Sequence, residues 1–195
     1  MSTQVSASPS SRALRRAFIW VNGTPRRGKR MSTGITSRTF EGIEFVDTRI
    51  DHNETGFDAL PKAMAEAYGT PAGPVLPLDQ ELGELVRLLI AVNSRCAYCT
   101  ILHAGEARKM GIAAVKIDAI SAWRTSSHFT EPEAAAFAYA EALSGLREGD
   151  IAGAHDGLRP HFDEAAIEAL TMAIINMDVW TRLFLARGHT PRSTR

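Results

Sequence analysis

The stretch ELVRLLIAVNSRCAYCTILHAGEARKMG, residues 84–111, decides how this chain is read. Its first half is an apolar helical run. With Asp79 as the capping residue, a helix over 80–92 places Leu82, Leu85, Val86, Leu89 and Ile90 on one side. Asn93 and Ser94 are favoured helix-opening residues and mark a break. A second helix is expected over 95–110, stopping at Gly111. The same stretch holds both cysteines of the chain, Cys96 and Cys99, and His103 follows four positions after the second.

On a helix of 3.6 residues per turn, positions 96, 99 and 103 lie within about 60° of one another. Cys96, Cys99 and His103 therefore share a face. The spacing of the two cysteines sets their Cα atoms about 5–6 Å apart, which a disulfide accepts. Cys96 falls in the first helical turn, where free backbone N–H groups and the helix dipole favour a thiolate. His103, one turn beyond Cys99, can take its proton, and in turn needs a group to orient it. Glu84 is the residue selected for that task. On one continuous helix it would sit about 18 Å from Cys96 along the axis, and the break at Asn93–Ser94 is what folds it back. Two other readings compete: cysteines that are merely small core residues, and a zinc site of Cys96, Cys99, His103 and Glu84. Structural zinc favours cysteine-rich loops, and the chain has no second CxxC, so no metal is expected.

Working outward, helical signals dominate. A further helix is expected over 113–123. Thr130 and Glu133 form a capping box with Pro132 in the first turn, opening a helix that ends before Gly145. Asp163 opens the last helix, which runs to about Arg187 before Gly188, with Ile167, Leu170, Ile174, Met177 and Leu185 suited to burial. Towards the N-terminus, 42–50 alternates weakly and reads as extended, 56–68 as a short helix, and 69–77 as a Pro/Gly-rich loop. The chain reads as all-α. His52, His128, His155, His161 and His189 are assigned no role. Trp123, Phe137, Tyr139 and Trp180 are read as core or subunit interface.

Glu84, eleven residues, then Cys96-x-x-Cys99-x-x-x-His103 resembles the signature of the alkylhydroperoxidase D-like (AhpD-like) proteins of the carboxymuconolactone decarboxylase superfamily. The whole quoted stretch is similar to that family's core, and 170–186 to its later helix. The resemblance spans about 45–190. It implies an all-helical, obligately oligomeric fold, trimeric or hexameric, with peroxiredoxin activity. By that resemblance Cys99 is the peroxidatic residue and passes through a sulfenic acid, and Cys96 is the resolving residue. The Cys96–Cys99 disulfide closes the cycle. Glu84 and His103 form the proton relay. The partners implied are a hydroperoxide substrate and an external thiol reductant, a dihydrolipoyl protein among the candidates, with no cofactor. Tyr98 stands where the founding hydroperoxidase carries a histidine. With a reference pKa near 10 it is at best a weak relay residue. The decarboxylase branch, which acts on lactones, generally lacks the CxxC pair.

Bulk properties agree with one helical domain over 31–195. The 195 residues carry equal numbers of basic and acidic side chains, 22 of each. Seven of the basic ones lie in residues 1–30, which have no Asp or Glu, so the remainder carries a net charge of −7. An acidic body argues against a nucleic-acid surface, which draws on clustered Lys and Arg. No uncharged apolar run approaches the roughly 18 residues of a membrane span, and a cytoplasmic protein is expected. The leader 1–30 lacks the apolar core of a secretory signal and reads as a disordered basic extension. A mitochondrial-type presequence and translation upstream of a start at Met31 are its other readings.

Overall fold

Asp79 opens the first helix as expected. Its Oδ1 accepts from the Leu82 backbone N–H at 2.8 Å, and α1 runs over Gln80–Asn93. The computed structural model describes residues 37–50, 63 and 78–192. The leader 1–30, the loop expected over 69–77 and, apart from Ala63, the helix expected over 56–68 lie outside the described residues. α1 is buried well beyond its predicted stripe, with Leu88 and Ala91 as sealed as Leu85, Val86 and Leu89, all at most 1 % exposed. It is the central helix, in contact with each of the longer helices named below except the fifth.

The chain then reverses. Arg95 adopts left-handed backbone (φ 56°), Cys96 N–H donates to Ala91 O at 3.1 Å, and Arg95 N–H donates to Val92 O at 3.0 Å. This is a Schellman closure made without the usual glycine. Asn93 and Ser94 therefore finish α1 and do not cap the next helix. Cys96 itself is the N-cap of α2 (Ala97–Lys109), its Sγ accepting from Cys99 N–H at 3.3 Å. α2 ends in the same closure, with Gly111 at φ 83° where the sequence places the stop.

The helix expected over 113–123 divides into α3 (Ala114–Ala119) and a 3-10 turn (Ile120–Thr125), which departs from helical geometry at Ala122. Trp123 Nε1 and Asn93 Nδ2 both donate to Glu141 Oε1, at 3.2 and 3.0 Å. These bonds tie that turn and the end of α1 to α4 (Glu131–Gly145). The capping box of Thr130 and Glu133 forms with Pro132 in place, but α4 takes in Gly145, and Leu146 makes the left-handed exit. Glu133 also receives Lys116 Nζ at 2.6 and 2.9 Å. Burial pushes the Glu133 carboxyl up, but hydrogen bonds from Lys116 and Thr130 and the Lys116 charge outweigh it, and the net shift is downward. A depressed folded-state value gives stability that is fully present above the ordinary value and is lost as pH falls through the lowered one. Glu133→Gln should therefore flatten the acid-side decline in unfolding temperature, and an acid limb identical to the parent's would contradict this.

A helix that the sequence reading missed, α5 (Glu148–Leu158), packs on α4 and buries Leu158. α6 (Glu164–Arg187) follows, with Asp163 Oδ1 accepting from Ala166 N–H at 2.8 Å. Ile167, Leu170, Ile174 and Met177 are buried as expected. Leu185 is not, at 37 % exposed. In the last turn Phe184 takes the inward place, its ring 4.4 Å from that of Tyr98. Among the described residues α6 alone is long and apolar enough to cross a membrane by length and composition, and 44 % of its most apolar window is buried inside the protein. Its contacts with α1 and α4 are those of a core helix.

The fold is all-α with one small addition, a three-stranded antiparallel sheet in the order β1-β2-β3. β1 (Ser37–Phe40) and β2 (Ile43–Val46) form a hairpin through Glu41 and Gly42, both at positive φ, the two-residue turn that suits strand twist. β3 (Thr190–Pro191) pairs with the other edge of β2. Thr48 and Arg49 N–H groups donate to Arg187 O at 3.1 and 2.9 Å, so the sheet is fastened to the end of α6. Gly188 is required at that junction. Its φ is 67°, and a Cβ there would collide with Thr48 Oγ1 and approach Arg49 Cγ to 2.9 Å.

Candidate active site

The reversal between α1 and α2 unites residues 19 positions apart. His103 Nδ1 lies 2.7 Å from Glu84 Oε1, with the two side chains only 1 % and 3 % exposed. A carboxylate can only accept, so Nδ1 holds the proton, and a neutral ring keeps its Nε2 lone pair for a second one. Sequence reasoning chose Glu84 for this contact on the strength of the helix break, and the structure makes the contact.

Arg87 was missed. One turn along α1 from Glu84, its Nη1 lies 3.2 Å from Glu84 Oε2, leaving the carboxylate bound on both oxygens. The signal was present in the i, i+3 spacing of Glu84 and Arg87. Burial pushes the Arg87 guanidinium down from its ordinary value, while the charge and hydrogen bond of Glu84 work against that.

Cys96 and Cys99 are joined as a disulfide with Cα atoms 5.3 Å apart, inside the expected range. Cys96 is 1 % and Cys99 2 % exposed, because the helix corner and the packing around Tyr98 cover both. Cys96 remains at the helix N-terminus, the position that favours its thiolate once the bond is reduced. His103 follows Cys99 by one turn on α2.

Tyr98 is an aromatic hub rather than a solvent-facing side chain. Its ring lies 4.9 Å from Phe45, 4.4 Å from Phe184 and 4.5 Å from the His189 imidazole, centroid to centroid. His189 was given no role from sequence, yet it is buried and its Nδ1 lies 2.6 Å from Asp47 Oδ1. These partners stand 142 positions apart, and no local pattern announces them. Tyr98, one of the two residues between the cysteines, is thereby locked to the sheet and to the end of α6. His155 lies on α5 and His128 and His161 in turns, and His52 is outside the described residues.

Among the described residues no group of three or more His, Cys, Asp or Glu side chains is placed to hold a metal ion. The two sulfurs are bonded to each other, and His103 Nδ1 is taken by Glu84.

Fold and site together define a class: a helical protein whose CxxC opens one helix and is backed by a glutamate–histidine pair bridging to the helix before it. Comparisons with known proteins show what the chain is similar to. Residues 59–142, which include Glu84, both cysteines and His103, match the model of the carboxymuconolactone decarboxylase family. The chain is 26% identical to the uncharacterised protein YdfG of Bacillus subtilis over 117 residues, 60% of this chain and 80% of that protein. It superposes with a TM-score of 0.64 and 26% identity on an Agrobacterium tumefaciens protein of unknown function, described as a candidate antioxidant defence protein AhpD. That likeness covers 75% of this chain and 99% of the other. An uncharacterised peroxidase-related protein from Silicibacter shares the fold alone, at TM-score 0.56 and 14% identity over 68% of this chain and 70% of that one. The chain is thus similar to the AhpD-like proteins of the carboxymuconolactone decarboxylase superfamily in both sequence and fold.

Proposed function

We propose that the protein is a thiol-dependent peroxidase that reduces hydroperoxides through the Cys96–Cys99 dithiol. The observation that carries the reading is the sealed Glu84–His103 pair, 2.7 Å between Oε1 and Nδ1, on the same helix hairpin as a CxxC disulfide. A buried pair of this kind is costly to maintain unless its chemistry is used.

In the reduced protein, His103 Nε2 takes the proton of the Cys99 thiol while Glu84 stabilises the imidazolium. The Cys99 thiolate attacks the outer oxygen of the hydroperoxide. An S–O bond forms, the O–O bond breaks, and the departing alkoxide leaves as the alcohol with the proton from His103. The Cys96 thiolate then attacks the Cys99 sulfur, an S–S bond forms, and the sulfenic oxygen leaves as water with one further proton. The disulfide in the structure corresponds to this oxidised end. An external dithiol donor returns two electrons and two protons. Burial of both sulfurs favours a small acceptor such as a hydroperoxide over a protein disulfide. We place this cycle in the cytoplasm, where donor thiols are held reduced. Ile175 and Leu185 on α6, 43 % and 37 % exposed, support assembly into a homotrimer or hexamer.

The test is peroxide consumption by the reduced protein, using hydrogen peroxide and an organic hydroperoxide against a panel of thiol donors that includes dihydrolipoamide. The expected result is loss of peroxide that needs both protein and donor, with both thiols converted to the intramolecular disulfide. Two thiols that survive excess peroxide would reject the reading.

A further inference from the structure

The Glu84–His103 pair has a third member that the peroxidase cycle above does not use. Glu84 is a buried carboxylate, and each of its oxygens has a separate partner: Oε1 faces His103 Nδ1 at 2.7 Å and Oε2 faces Arg87 Nη1 at 3.2 Å. The Arg87 side chain is only 11 % exposed and lies beside Gly83, where a Cβ would meet Arg87 Nη1 at an ordinary contact distance of 3.5 Å. An arginine on a helix surface ordinarily extends its charge into water. This one is withdrawn against a carboxylate one turn earlier, at the cost of desolvation, and the charge and hydrogen bond of Glu84 act against that cost.

We propose that Arg87 is a positioning residue that neutralises Glu84, so that His103 stays an uncharged imidazole able to accept a proton. The argument is one of charge balance. A buried carboxylate demands a compensating positive charge. Two groups here can provide it, and they compete. If Arg87 does so, the Glu84–Arg87 unit is neutral overall, and His103 needs only to donate its Nδ1 proton to Oε1. If Arg87 does not, the imidazole becomes the compensating cation by holding protons on both nitrogens. An imidazolium has no lone pair on Nε2 and cannot take the Cys99 proton. Arg87 thus separates two duties that a bare Glu–His pair would merge: Glu84 orients His103 without converting it into a permanent ion-pair partner. Guanidinium suits this position because it keeps its charge when partly desolvated better than an ammonium does.

The inference rests on the proposed role of His103 as a base, but its test does not depend on peroxide turnover. Ring 15N resonances of His103 would be recorded at pH 7 in the oxidised full-length protein, in which neither cysteine titrates. The parent should show one protonated and one unprotonated ring nitrogen. Arg87→Met should show both protonated, and Arg87→Lys should return the spectrum towards the parent. A neutral ring in a folded Arg87→Met protein would overturn the proposal, whatever the peroxidase assay shows. A second measurement covers the case in which Arg87→Met folds poorly. The loss of unfolding temperature on Arg87→Met should largely disappear in a Glu84→Gln background, where no carboxylate charge is left to balance. An equal loss in both backgrounds would mean that Arg87 acts by packing, and would equally overturn the proposal. Conversely, a confirmed charge switch in a protein that consumes no peroxide would reject the peroxidase reading and leave the role of Arg87 intact.

Discussion

Cys99→Ser should bring thiol-dependent peroxide consumption down to the rate seen without protein, whereas Cys96→Ser should still consume one peroxide per chain and then stop. The two sulfurs are equally buried, so access does not separate them. Their surroundings do. Cys99 lies one helical turn before His103, whose Nδ1 is fixed on Glu84, which leaves a proton acceptor for this thiol. Cys96 is the N-cap of α2, and its Sγ receives the Cys99 N–H at 3.3 Å, so its thiolate is favoured by backbone groups rather than by a base. A serine at 99 removes the nucleophile, and the hydroxyl is too poor an acid for His103 to replace it. A serine at 96 leaves the first chemical step intact but removes the partner of the sulfenic acid. The trapped sulfenic acid should be detectable by a dimedone adduct and intact-mass measurement at Cys99. Adduct formation in Cys99→Ser but not in Cys96→Ser would reverse the roles of the two cysteines.

How far the sequence reveals the fold depends on where its signals are local. Asp79, Thr130 with Glu133, Gly111 and Gly188 each announce a helix end through chemistry confined to a few residues, and each holds in the structure. The α1–α2 corner was legible as a break but misread in detail. Arg95 takes the left-handed position that a glycine would have signalled, so Asn93 and Ser94 looked like openers of the next helix. α5 was hidden for a related reason. EGDIAGAHDGL carries three glycines, its N-cap Arg147 makes no side-chain capping bond, and each glycine costs about 1 kcal/mol of helix propensity relative to alanine. Packing on α4 supplies what local propensity lacks.

The site divides along the same line. Cys96, Cys99 and His103 stand on one helix face, and periodicity alone groups them. Glu84 required a long-range step, made possible by the break in the helical pattern. Tyr98, read as a weak relay residue, packs the CxxC against the small sheet and the end of α6. Its neighbours Phe45, Phe184 and His189 come from three other segments of the chain. The His189–Asp47 bond crosses nearly the whole described length, and a single sequence holds no trace of such a pairing. Arg87 was legible by spacing but unremarkable. What sets it apart is burial, which only the packed helices create.

Glu84→Ala should be the most damaging single substitution to stability among the site residues, and it should abolish activity as well. Removing this carboxylate leaves two buried groups without their partner at once, the His103 Nδ1–H and the Arg87 guanidinium. Breaking a buried ion pair by deleting one partner costs about 3–5 kcal/mol. For a chain of this size, that should lower the unfolding temperature by on the order of 10 °C. The neighbours cannot relax away easily. α1 is enclosed by α2, α4 and α6, with Leu85 and Leu88 on either side of the site at 1 % exposed. Glu84→Gln tests the two losses separately. Its amide keeps the shape, and its carbonyl can still accept from His103, so most of the packing survives. The charge that stabilises an imidazolium during proton transfer does not. Glu84→Gln should therefore unfold at a temperature between those of the parent and Glu84→Ala, yet fall as far as Glu84→Ala in the rate of Cys99 oxidation. Thermal denaturation of the three proteins beside stopped-flow oxidation of their reduced forms makes the comparison. A Glu84→Gln protein that reacts with peroxide at the parent rate would remove the carboxylate charge from the relay and leave Glu84 as a structural residue alone.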